Sequence, residues 1–402
     1  MRSGSTHSWA ARGAQVFVSS LRLGLTSFGG PIAHIGYLRR EYVTRRQWLS
    51  EEAFAGIVGL CQFLPGPASS QVNMSVGLHR AGPGGALLAW AGFTLPSAAV
   101  MTAFAFFVGS IDVAGSAWLH GIMLAAVAVV AQAVWTMAPR LAPDLRRALF
   151  AVAAAALSLL VPSALTQVLI IAAAAVLGRF FLPPSSRPET ESISVRLPRW
   201  LSVASLALFA FLLAGLPVIR LFSDRPWLAL ADGFYRSGAL VFGGGHVVLP
   251  LLHQVVVPTG GITDQQFLSG YGAAQAIPGP LFTFAAYLGA AMRWPPNGLA
   301  GAAIALAAIF LPSFLLLFGL LPSWAGLRAR RGFSSALDGV NAAVLGLLAA
   351  ALYTPVGTGA IRSIPDAGVA VGAFALLVLA RLPPLVVVAA CAGAAALIRL
   401  VF

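Results

Sequence analysis

Gln62-Phe63-Leu64-Pro65-Gly66-Pro67 returns, 213 residues later, as Gln275-Ala276-Ile277-Pro278-Gly279-Pro280. The first copy lies between the apolar runs 53–64 and 68–78. Each is too short to cross a hydrocarbon core of about 30 Å, which takes roughly 20 helical residues. A proline break between short apolar runs predicts half-helices, and non-helical backbone at membrane depth must be buried in protein or line a cavity. The pattern therefore predicts re-entrant hairpins with Pro-Gly-Pro at their tips. The second proline suits the first position of a new helix. Such a helix directs free N–H groups and a partial positive charge at the tip, so an anion is the natural ligand. A structural kink is the simpler reading of one copy; two copies behind matched glutamines favour a site.

The matching extends outward in both directions. Arg22-Leu-Gly24 returns as Arg236-Ser-Gly238, and Phe28-Gly29-Gly30 as Phe242-Gly243-Gly244. Phe54 and Gly59 return as Phe267 and Gly272, Leu95-Pro96-Ser97 as Leu311-Pro312-Ser313, and Gly121 as Gly339. The offset stays within 213 to 218. An ordered series of this kind marks a duplication. The polar stretch 183–198 separates the copies as a solvated linker, giving repeats at 1–182 and 199–402.

The 402 residues are 59% apolar and 9% charged, with mean hydropathy +0.87. A soluble domain carries about a quarter charged residues. The fold class expected is an all-α polytopic membrane protein with broken, re-entrant helices. This excludes a secreted disulfide scaffold, a disordered chain and a nucleic-acid partner. Full-length spans are expected at 86–109, 118–138, 200–221, 299–321 and 335–353. Helix pairs are expected at 148–181 and 367–402, broken at Pro162 and at Pro383-Pro384. The apolar run 14–28 contains Arg22 and lacks a clear cleavage site, so it is read as part of the mature protein rather than a signal peptide. Cys61 and Cys391 each lie in an apolar run and form neither a disulfide framework nor a metal site.

All 25 basic residues are Arg, against 12 acids, for a net charge of +13. Their placement differs between the copies. The loop after the first Phe-Gly-Gly holds Arg39, Arg40, Arg45 and Arg46, while its counterpart 253–263 holds none. The loop 110–117 has no Arg, while 322–332 has Arg328, Arg330 and Arg331. Loops rich in Arg lie on the cytoplasmic side. Equivalent loops thus fall on opposite sides, and the repeats are expected to be inverted, as in many secondary transporters.

Candidate site residues follow from the breaks. At the first tip they are Gln62, Pro65, Gly66, Pro67, Ser69, Ser70 and Asn73; at the second, Gln275, Pro278, Gly279 and Pro280. The second tip continues as Leu281-Phe282-Thr283-Phe284, so the paired site is chemically lopsided. Gly29, Gly30, Gly243 and Gly244 let backbone amides approach a ligand, or simply let helices pack closely. Arg22 and Arg236 each stand six residues before a Phe-Gly-Gly break, within an apolar run. A charge at membrane depth costs several kcal/mol, and a guanidinium fork matches a tetrahedral oxyanion. Snorkelling or carbonyl capping is the plainer reading. Glu51, Glu52 and Asp264 are read as capping the helices that begin beside Ser50 and Thr263. His34, His79, His246 and His253 lack metal-ligand spacing, and no motif for an enzyme nucleophile is present.

Several of these stretches resemble the chromate ion transporter family in its long, two-domain form. In the first half the resemblance rests on Phe28-Gly29-Gly30-Pro31 with His34-Ile35-Gly36-Tyr37, Trp48-Leu49-Ser50-Glu51, Gln62 to Gln71, and Gly92-Phe93-Thr94-Leu95-Pro96-Ser97. In the second it rests on Phe242-Gly243-Gly244-Gly245-His246, Gln275 to Phe284, and Gly339-Val340-Asn341-Ala342-Ala343. It covers nearly the whole chain except the linker and both ends. The resemblance implies a multi-pass protein of the bacterial inner membrane that exports chromate from the cytoplasm, with about thirteen membrane segments in two oppositely oriented halves; no cofactor and no enzymatic activity are expected from the residues. Joined to the residue reading, it gives alternating access at an oxyanion site between the repeats. Sulfate shares the shape and charge of chromate, so a sulfate or other oxyanion carrier is the first alternative. A membrane-embedded enzyme is the alternative of another class. Partners are the oxyanion and the lipid bilayer; a homo-oligomer is left open.

Overall fold

The computed structural model describes residues 8–111, 115–183, 197–242, 245–323 and 331–401. Gly243, Gly244, Arg328, Arg330 and most of the polar linker lie outside the described residues.

The first half runs α1 (Trp9–Thr26), α2 (Gly30–Arg39), a π-helical turn (Arg40–Arg45), α3 (Glu51–Phe63), α4 (Ala68–Gly109), α5 (Ala117–Leu141), α6 (Leu145–Leu160) and α7 (Ala164–Phe181). A helix α8 (Arg199–Arg220) follows. The second half runs α9 (Pro226–Leu240), α10 (Val248–Val256), α11 (Asp264–Ala276), α12 (Phe284–Ala291), α13 (Gly298–Leu320), α14 (Arg331–Ala351), α15 (Ile364–Val378) and α16 (Pro384–Val401). No strand occurs among the described residues. The chain is an all-α polytopic membrane protein built from two homologous repeats with broken helices.

The helices match one for one once α4 is counted as two. Ala81 and Gly82 leave helical geometry inside it, Gly82 at φ 68° and ψ −162°. Pro83 causes this: it has no N–H to continue the ladder and crowds the residue before it. At the equivalent place the second repeat breaks outright between α12 and α13. The helix α8 has no counterpart, and Ser205 is its one buried residue. Among the described residues five helices are long and apolar enough to cross a membrane, in α4, α5, α8, α13 and residues 332–360. Large apolar side chains such as Leu145, Phe180, Trp200 and Ile364 are exposed on the outside, as a lipid-facing surface requires.

The helix starts are set locally. Ser50 Oγ accepts from Ala53 N, and Thr263 forms a reciprocal capping box with Gln266. The acids expected to cap, Glu51, Glu52 and Asp264, instead occupy the first turn, where the dipole favours them. Glu51 is hydrogen-bonded by Arg39, which holds its carboxyl below the ordinary value. That contribution is present above the usual carboxylate range and fades as pH falls through the lowered value. Asp144 caps α6 by accepting from Arg147 N. Asp144→Ala should cost about 1 kcal/mol, read as a lowered midpoint of thermal unfolding in detergent.

Packing sorts the helices into two bundles, each drawing on both repeats. In one, α1 lies along α4, α9 along α13, and α12 against both α4 and α13. In the other, α14 packs on α6 and α7, while α5 packs on α15 and α16. The repeats have exchanged arms. Matched glycines make the exchange close: a Cβ on Gly121 would lie 2.6 Å from Ala392 Cα, and one on Gly339 2.9 Å from Gly178 Cα. Each arm is also tied by a side-chain hydrogen bond to a carboxylate. Arg147 of α6 reaches Asp338 of α14 at 2.9 Å, and His120 of α5 reaches Asp366 of α15 at 2.9 Å. Positions 120 and 338 are equivalent, as are 147 and 366, so the two pairs are counterparts with donor and acceptor exchanged.

Candidate oxyanion site

The two Pro-Gly-Pro tips are held by each other's repeat. Gly66 donates its N–H to Val241 O at 2.7 Å, at the end of α9. Gly279 donates to Ser27 O at 3.0 Å, at the end of α1. Ser27 and Val241 are equivalent residues, so the bonds are mirror copies. Both glycines need their lack of a side chain, with φ of 121° and 100°. A Cβ on Gly279 would sit 2.5 Å from Ser97 Oγ, and one on Gly66 would collide with Ser313 Oγ. The matched Leu-Pro-Ser segments of α4 and α13 thus each face the other repeat's tip.

The first tip carries the polar groups. Gln71 Nε2 bonds Pro65 O at 2.7 Å and Ser313 Oγ at 3.3 Å. His34 bridges Ser69 Oγ (3.4 Å) and Ser27 O (3.1 Å), and is buried edge-on to Phe93. The helix α4 opens at Ala68, so the amides of Ala68, Ser69 and Ser70 have no carbonyl of the preceding turn to bond. Pro67 and Pro280 stand one residue earlier than expected, at the N-cap, because both keep an extended ψ. Buried atoms without a protein partner are Ser27 Oγ, Ser70 Oγ and Gln71 Oε1, with Thr94 Oγ1 further along α4 and Gln275 Nε2 before the second tip. Orphaned polar atoms of this kind are expensive unless a ligand or water meets them.

The second tip is aromatic. Phe282 packs on Phe310, and Phe284 on Phe267, Tyr271 and Tyr287. A 3-10 turn (Leu281–Thr283) replaces the first turn of the helix here, and Thr283 Oγ1 folds back on Pro280 O. Pro278 is half-buried at this tip.

The remaining expected residues divide. Gly29 caps α2 in a left-handed conformation, and the space beside Gly30 is open. Gln62 is exposed, whereas Gln275 is half-buried. Asn73 is committed elsewhere, bonded by Tyr42 OH at 2.6 Å, by Ser20 Oγ, and to Ala89 O. Arg22 is exposed on α1. Arg236 is not a free charge: it meets Asp232 Oδ2 at 2.6 Å, where Arg220 of α8 also arrives at 2.8 Å. The sequence reading missed Ser27, His34, Gln71, Thr94, Ser97 and Ser313. The repeated Leu-Pro-Ser was the available signal for two of them.

Broken apolar helices in exchanged repeats, each tip seated on a helix end of the other repeat, are the architecture of a membrane transporter. The chain belongs to the chromate transporter family: the family's model matches it twice, over residues 14–179 and 228–397, leaving the linker and α8 between the matches. It is 28% identical over 351 residues to the chromate transport protein of Pseudomonas aeruginosa, covering 84% of this chain and 79% of the relative. It is 28% identical over 392 residues to a probable chromate transport protein of Synechococcus elongatus, covering 93% of each. It is 28% identical over 378 residues to the chromate transport protein of Cupriavidus metallidurans, covering 90% of this chain and 87% of the relative. No solved structure matches the chain.

Proposed function

We propose that the chain exports chromate from the bacterial cytoplasm across the inner membrane by alternating access, without catalysing a reaction. The repeats, 1–182 and 199–402, lie inverted in the membrane, as the opposite Arg bias of their loops supports. The dianion sits between the crossed tips. Amides at Gly29 and Gly30 and of Ser69 and Ser70 face it, the Pro65-Gly66-Pro67 and Pro278-Gly279-Pro280 tips shape its walls, and hydroxyls of Ser69 and Ser70 with the Gln62 and Gln275 amides donate to it as the site closes. The observation that carries this reading is the mirrored pair of bonds that seats each tip on the other repeat, amid buried polar atoms left without protein partners.

Arg22 and Arg236 stand about 9 Å along their helices from the breaks; Arg22 acts through its field, while Arg236 is held in the ion pair with Asp232. Arg22→Gln should lower chromate flux about fivefold to tenfold, the order expected for one charge at that distance. Unchanged flux and affinity would remove the role given to it. An inside-negative potential drives a dianion outward by about 2.3 kcal/mol per charge per 100 mV, so export needs no proton. The test is chromate flux in proteoliposomes under imposed voltage at fixed pH. Saturable, voltage-accelerated flux is expected, and flux no faster than in protein-free liposomes overturns the reading.

Sulfate is the second substrate the site favours, because amides and hydroxyls recognise tetrahedral dianions without regard to the central atom. Sulfate competing at concentrations well below those of chromate would make it the principal cargo. Recovery of reduced chromium from purified protein would favour a membrane-embedded enzyme.

A further inference from the structure

We propose that the face of α3 carrying Ala55, Gly59 and Gln62 is a docking surface for α14 of the same chain, vacant in this conformation and filled in the opposite one. This deepens the alternating-access reading and rests on it.

The equivalent face in the second repeat is already docked. On α11 the matched residues are Leu268, Gly272 and Gln275. Leu268 is 0% exposed, and α11 packs along α5. Gly272 lies so near α5 that a Cβ would come within 2.5 Å of Ile122 O. On α3, by contrast, Ala55 and Gln62 are exposed, and no heavy atom lies within 4 Å of where a Gly59 Cβ would be. The preceding helices differ in the same sense: Tyr37 of α2 is 39% exposed, while its counterpart Leu251 of α10 is 6% exposed.

Local sequence does not explain the difference. Both helices have 13 residues, and the Gly59–Gly272 and Gln62–Gln275 pairs are identical in kind. Two homologous halves in unequal settings describe one of two states, and exchanging the settings describes the other. Gly121 and Gly339 are equivalent and do the same work on α16 and α7. The next residues, Ile122 and Val340, are therefore counterparts. In the opposite state Gly59 abuts the backbone of Val340, and Gly272 withdraws from Ile122. The Arg-rich segment 39–46 directly precedes α3, which makes the open side cytoplasmic. The open face leads along Gln62 to the Pro65-Gly66-Pro67 tip, so this conformation admits anion from the cytoplasm.

The test uses full-length protein in which Cys61 and Cys391 are replaced by Ala and a single cysteine is placed by Gln62→Cys or Gln275→Cys. Labelling by a membrane-impermeant maleimide is followed from each side of oriented vesicles. Gly59→Leu fits the open space of this state and blocks docking on α14. It should raise labelling at 62 from the cytoplasmic side, reduce labelling at 275 from the other side to background, and cut chromate flux at least about tenfold, with thermal stability unchanged. Ala55→Trp, on the same face, should do likewise. Parental flux in Gly59→Leu overturns the proposal. So does labelling at 62 that is blocked in the parent and in both variants, as a lipid or second copy seated on α3 would cause. Gly59→Leu decides the matter even if the mirror variant Gly272→Leu fails to fold. Labelling that shifts as expected in a parent without chromate flux would remove the chromate reading and leave the docking. Flux with labelling indifferent to both variants would do the reverse.

Discussion

Valine in place of Gly66 or Gly279 should abolish chromate flux, by a factor of about a hundred or more. Both glycines have positive φ, 121° and 100°, which a β-branched residue adopts only with strain. Such strain costs about 1–3 kcal/mol. The added atoms also meet the partner repeat, Ser97 Oγ at 2.5 Å from a Cβ on Gly279 and Ser313 Oγ beside Gly66, where the Gln71 amide of the same repeat also stands. Each tip must then retreat, breaking its N–H bond to Ser27 O or Val241 O. Together these terms reach roughly 3 kcal/mol, which is about a hundredfold in rate. Flux and detergent thermal unfolding, measured side by side, check this. Gly368→Ala serves as control, since its site in α15 is open and helical. It should leave flux unchanged and add up to about 1 kcal/mol of stability.

Arg147→Met should be the most destabilising single change away from the tips, by about 3–5 kcal/mol. Its guanidinium bridges Asp144 and Asp338, and its side chain and that of Asp338 are only 10% and 6% exposed. Removing the cation takes from the buried Asp338 its ion-pair partner on α6 and unties the arm that the repeats exchange. Asp338→Leu added to Arg147→Met should restore most of the loss, because an apolar pair of similar size replaces a buried ion pair at little cost. Thermal unfolding of the two single variants and the double variant measures the coupling directly. Rescue by the double variant would separate this pair from simple loss of packing.

Much of the architecture was legible because it is local or repetitive. Pro162, Pro383 and the Pro-Gly-Pro elements mark helix ends through missing donors, and the spans follow from apolar run length. Matched residues at a near-constant offset gave the duplication without any contact being known. What was not legible depends on which helices meet. The bond from Gln71 to Ser313 joins residues 242 apart, and that from Gly279 to Ser27 also crosses the whole fold. Nothing in either segment names its partner. The exchange of arms, α5 with α15 and α16, is hidden for the same reason. The neutralisation of Arg236 was half visible: Asp232 stands four residues before it, on the same helical face. Its second partner, Arg220, comes from α8, which has no counterpart in the first repeat. Asn73 looked like a donor to the site because it follows Ser69 and Ser70 closely. One helical turn carries it about 6 Å along α4 from Ser69, where Tyr42 and Ser20 bond it instead.

The location of the anion tests the account most directly. Crystals of the protein soaked with chromate, measured at the chromium absorption edge, give the position of the metal oxyanion independently of any fitted side chain. A single anomalous peak is expected between the Gly66 and Gly279 tips, within hydrogen-bonding reach of the Ser69 and Ser70 amides. A peak elsewhere with the tips empty, for instance against Arg220 and Arg236, would contradict it.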